Sequence, residues 1–194
     1  MRAQKLQPHH KYSIAVVLLA LVFGAGCSIH EQNSGEKGDK KVEIKTPFGQ
    51  MKVNTEVDPR DTGLPVYPGA RRAASDEHDK NAANVNISSD LFGLKVVAVK
   101  FESDDPPQKV LDFYRDKIKA FGGKYLECKE GEGIVMTHDS EDHELTCGKE
   151  RHGSSVELKS GTPDRQHVVS VKPHGGGSEF TLVYVNKRGK EAEM

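Results

Sequence analysis

The densest group of chemically capable side chains in this 194-residue chain is His138, Asp139, Glu141, Asp142, His143 and Glu144, two imidazoles and four carboxylates within seven positions. Imidazole nitrogens beside carboxylate oxygens suit Zn²⁺, Ni²⁺ or Cu²⁺, with His138, Asp139, His143 and Glu144 as the ligands. A loop rich in His and acids is more often a solvated surface, and there is no HExxH helix, so no resident cofactor is expected. Cys128 and Cys147 bracket the run. They lack the close CxxC spacing of thioredoxin-like sites, and in an oxidising compartment they are expected to pair as a disulfide, with a thiol metal or redox pair as the alternative. His174-Gly175-Gly176-Gly177 matches in letters an esterase oxyanion loop, where glycine amides stabilise a developing negative charge. No GxSxG elbow accompanies it, and GxxxxGK[ST] and GxGxxG are absent too. A hairpin turn is the simpler reading, and no catalytic residue is assigned.

The elements that must position these loops are mostly strands. Val42 to Thr46 and Met51 to Asn54 alternate apolar and polar residues around Pro47, Phe48 and Gly49, which reads as a hairpin. Asn84 to Ser88 and Leu94 to Glu102 alternate again, with Leu91-Phe92-Gly93 as their turn. Further strands are expected over Lys124 to Cys128, Ile134 to Thr137, Glu144 to Cys147, Val156 to Lys159, His167 to Lys172 and Phe180 to Asn186. One helix stands out. Asp105 as N-cap, Pro106 at the first helical position and Gln108 placed for a capping box would start it. Val110, Leu111, Tyr114, Ile118 and Phe121 recur at helical spacing, and Gly122-Gly123 ends it. The fold class is therefore α+β, mainly antiparallel β-sheet with one long amphipathic helix packed on one face.

The N-terminus carries an address. Arg2, Lys5 and Lys11 form a basic start without acids, Ile14 to Phe23 is an unbroken apolar run, and Gly24, Ala25 and Gly26 lead into Cys27. Ten apolar residues are too few to span a bilayer, which takes roughly 20. The order resembles a bacterial lipoprotein signal peptide. That resemblance implies cleavage after Gly26 and acylation of the Cys27 thiol; Gly24 departs from the usual aliphatic residue at its position. Ser28, where Asp would imply inner-membrane retention, implies the outer membrane in a bacterium with two membranes.

Five segments follow: signal peptide 1–26, a polar, flexible tether 27–41, a β-hairpin and linker 42–63, an α+β domain 64–187 and a polar tail 188–194. Losing Arg2, Lys5 and Lys11 takes the formal charge from −1 to −4. Both signs are mixed along the remainder, so nucleic acid is not an expected partner. Val66-Tyr67-Pro68-Gly69-Ala70 followed by Val110-Leu111-Asp112-Phe113-Tyr114 is similar to a loose group of exported bacterial proteins without assigned activity. That resemblance implies no catalytic residue. The expectation is a non-enzymatic envelope lipoprotein, membrane-anchored and binding or scaffolding an envelope protein; the alternative is a metal-handling or hydrolytic protein using the His138 to Glu144 loop.

Overall fold

Ten strands alternate with few helical residues in the computed structural model, which describes residues 28–33, 40–75, 80–129, 145–147 and 154–189. In chain order they are β1 (Ser28–Asn33), β2 (Lys40–Thr46), β3 (Gly49–Asn54), β4 (Arg71–Arg72), β5 (Ala82–Ser88), β6 (Phe92–Ser103), β7 (Lys124–Cys128), β8 (Val156–Gly161), β9 (Arg165–His174) and β10 (Gly177–Gly189). A 3-10 turn, Pro59–Thr62, precedes β4, and the α-helix α1, Pro107–Lys119, joins β6 to β7. All ten strands belong to one antiparallel sheet of order β1-β2-β3-β5-β6-β10-β9-β8-β7. β4 pairs with the last turn of β6, beyond the stretch that β5 occupies. The fold is α+β, as the strand periodicity and the single amphipathic stretch require.

The core lies between α1 and one half of the sheet. β6 turns Val97, Val99 and Phe101 inward, and its partner β10 places Tyr184, Leu182 and Phe180 opposite them in register. Val169 and Val171 of β9 and Leu158 of β8 continue the layer, all at most 1% exposed. α1 packs against β8, β9 and β10 through Val110, Leu111, Tyr114 and Ile118. Burial pushes the Tyr114 phenol up in pKa, and its hydroxyl donates to the Pro65 carbonyl at 2.9 Å. The Val66 to Ala70 segment is thereby held as an ordered turn, with Tyr67 edge-on to Phe113 at 5.1 Å. At the outer side of the helix, Arg115 grips both oxygens of Glu127 at 2.9 and 3.1 Å, tying α1 to the edge strand β7.

Several sequence expectations change. Pro106, not Asp105, is the N-cap, in an extended conformation with ψ 153°, and no side chain caps the helix. The following residue is Pro107, and a residue before proline is pushed out of the helical region. Asp105 instead accepts from the Tyr67 hydroxyl and the Lys109 ammonium, each at 2.8 Å, while Gln108 donates to Asp112. Phe121 does not join the buried helix face; it lies past the helix end and is 41% exposed. Residues 28–33, expected within the tether, form strand β1, held by backbone pairing with β2 that a mostly polar sequence does not signal. The 42–63 hairpin is continuous with the 64–187 domain, since β3 pairs with β5, and β10 runs on through Gly189 into the expected tail. Residues 145–147 are not strand, the β5–β6 turn is Ser89 to Leu91, and residues 134–137 lie outside the described residues.

Candidate functional site

Cys27 and the proposed metal ligands His138, Asp139, His143 and Glu144 all lie outside the described residues. Among the described residues no group of three or more His, Cys, Asp or Glu side chains is arranged to hold a metal ion. Cys128 and Cys147 are joined, with their Cα atoms 5.6 Å apart. The bridge sets Leu145, 4% exposed, and the Thr146 carbonyl over β8. There Lys159 donates to that carbonyl at 3.3 Å and pairs with Glu157 at 3.4 Å, both side chains almost fully buried. No local pattern in the sequence marks these two residues as buried.

The described polar cleft forms where β4, β6 and the β9–β10 hairpin meet. His174 pairs with Gly177 across a two-residue turn, Gly175-Gly176, so the His-Gly-Gly-Gly run is a hairpin. Gly177 has to be glycine: a Cβ there would stand 2.1 Å from the Ser103 carbonyl oxygen on β6. That close approach brings His174 beside residues about 70 positions away and opens a cleft of about 420 Å³ lined by Arg71, Glu102, Asp104, His174 and Ser178. Arg71 contacts Asp104 at 2.9 Å and Glu102 at 3.5 Å, and the His174 Nε2 stands 4.0 Å from Glu102. The next rungs extend the ladder, with Glu102 opposite Glu179 and Glu179 paired to Lys172 at 2.8 Å.

Two hydroxyls border this cleft. Ser178 donates to the Asp105 carbonyl at 2.9 Å, and Ser103 accepts from the Asp105 amide at 3.1 Å, so both are engaged by backbone. Neither bonds to His174, the arrangement an activated serine would need. The cleft is a surface of alternating fixed charges, able to recognise a complementary polar group. Sequence reasoning missed Arg71, Glu102 and Asp104 because their association depends on strand register, which no short motif records.

His167 shows a second arrangement. It stacks against Phe121 with ring centroids 3.6 Å apart and lies 4.9 Å from the Tyr184 ring. Burial, and then Arg165, lower its pKa from the ordinary 6.5. A histidine whose folded pKa is depressed binds fewer protons when folded, so its contribution to stability is complete above the unfolded value and is lost as pH falls through 6.5 toward the folded one. Melting temperatures taken from pH 8 to pH 5 should therefore fall more steeply for the natural protein than for His167→Phe. Parallel curves would contradict this.

No family model, curated protein or solved structure matches the chain. Among the described residues, no helix is long and apolar enough to cross a membrane.

Proposed function

We propose that this chain is an envelope lipoprotein, tethered through acylated Cys27, whose α+β domain binds or scaffolds a partner at the membrane surface without catalysing a reaction. The observation that carries this reading is the N-terminal order of basic residues, ten apolar residues, Ala25-Gly26 and Cys27. Ser28 favours the periplasmic face of the outer membrane in a two-membraned bacterium. Two further features agree with it. The Cys128–Cys147 bridge suits an oxidising compartment. The hydroxyls bordering the Arg71–His174 cleft are committed to backbone, which suits recognition better than turnover.

The test is Cys27→Ser in the full chain, expressed in a bacterium and followed by cell fractionation and intact mass. The natural chain should begin at Cys27 with added acyl mass and sediment with membranes, and the variant should lose the acyl mass and its membrane fraction. A variant that stays fully membrane-associated would sink the anchor.

A further inference from the structure

We propose that one rim of the sheet, built from the β2–β3 and β5–β6 turns, inserts Phe48 and Leu91 into the surface of a phospholipid bilayer. The proposal rests on the lipid-anchor reading for its orientation and adds to it a second, non-covalent contact.

Phe48 is 88% exposed and Leu91 59% exposed. Isolated exposed apolar residues are ordinary, but these two are neighbours. Gln50 pairs with Ser88, so the turn before β3 lies beside the turn after β5. The approach is close enough that a Cβ on Gly49 would stand 2.5 Å from the Ser88 carbonyl oxygen. Both tips are also held in shape. The Thr46 hydroxyl accepts from the Phe48 amide at 3.3 Å and donates to the Gly49 carbonyl at 3.0 Å. Ser89 does the same on its side, accepting from the Leu91 and Phe92 amides at 3.3 and 3.0 Å. Ordered turns that present apolar side chains lose little conformational freedom on binding.

The occupant follows from where the chain enters. Ser28 pairs with Lys45, one residue short of the β2–β3 turn, and Cys27 is bonded directly to Ser28. An acyl anchor on Cys27 would therefore join the domain at the same rim as Phe48. The sheet is graded to match. On the face turned away from α1, the row nearest the rim is Ile44, Met51, Ile87 and Leu94, and the next is Val42, Val53, Val85 and Val96. At the far end of the same face lies the Arg71, Glu102, Glu179 and Lys172 ladder. Rim charge is mixed: exposed Lys45, Arg165, Lys187 and Arg188 stand with Asp90 and Asp164, and Lys187 is 3.6 Å from Asp164. Docking should thus be driven by the apolar tips, with anionic lipid adding a smaller, salt-screened attraction to the basic side chains.

The chain contains no Trp, so an introduced indole reports without background. Full-length Phe48→Trp, Leu91→Trp and, as a control at the opposite end of β9, His174→Trp would be extracted in mild detergent and reconstituted into phosphatidylcholine vesicles with plain or brominated acyl chains. Brominated lipid should cut the emission of the first two variants about twofold and leave the third unchanged, because an interfacial indole lies within reach of the acyl region. Quenching at positions 48 and 91 no greater than at 174 overturns the proposal. Intact mass of the same samples reports on the anchor separately: an acylated chain with unquenched indoles keeps the anchor and loses the docking rim. An unacylated chain with quenched indoles does the reverse.

Discussion

Phe180→Ala should lower the free energy of unfolding by about 3–5 kcal/mol. Phe180 is 1% exposed and sits where three elements converge. Its ring stacks on Phe101 at 5.4 Å, tilts against Tyr114 of α1 at 5.8 Å and meets Tyr67 edge-on at 6.2 Å. Truncation removes apolar area and leaves a cavity bounded by strand β6, the helix and the Tyr67 turn. None of these can collapse easily, because Tyr114 is fixed to Pro65 and Tyr67 to Asp105 by hydrogen bonds. Aromatic pairing adds roughly 0.5–1.5 kcal/mol per contact beyond area, which places the loss toward the upper part of the range. Urea denaturation of the two proteins reads the difference, and a loss below about 1 kcal/mol would show that Phe180 does not hold these three elements together.

Replacing both bridged cysteines, as Cys128→Ser with Cys147→Ser, should cost about 3 kcal/mol. The partners are 19 residues apart, so the bridge removes much of the unfolded chain's freedom in that segment. The folded state loses something as well. Leu145 and the Thr146 carbonyl are kept over β8 by the adjacent Cys147, and they shield Lys159 and Glu157, 3% and 7% exposed. Releasing that segment would let the ion pair rehydrate at the expense of Leu145 burial. Denaturation with and without reductant gives the same comparison in the natural sequence. A reductant effect under about 1 kcal/mol would contradict it.

Much of the architecture is legible in the residues because its signals are local. Alternation through Val97, Val99 and Phe101 marks a strand half-covered by something apolar, and the spacing of Val110, Leu111, Tyr114 and Ile118 marks what covers it. Lys124–Cys128 is a strand with the bounds the pattern indicates. The helix starts one residue later than the capping signature of Asp105 indicates, because Pro107 restricts Pro106 to an extended conformation. Phe121 continues the helical spacing from Ile118, but the chain leaves the helix first and the ring finds His167 instead. β1 carries no apolar alternation at all, since an edge strand is held by its amides. The cleft and the rim are the least legible, because each is assembled by register between strands far apart in the chain.

The pairing of β6 with β10 is continuous from Ser103 opposite Ser178 to Phe92 opposite Gly189. Twelve consecutive rungs make a ribbon about 35–40 Å long whose ends cannot approach one another without breaking backbone bonds. One end carries the Phe48–Leu91 rim and the other the Arg71–His174 cleft. With the rim seated on a bilayer, the ribbon acts as a mast that holds the cleft at a set height above the lipid headgroups. A partner recognised there would be met at that height, and inserting extra residues between Cys27 and Ser28 would not move it.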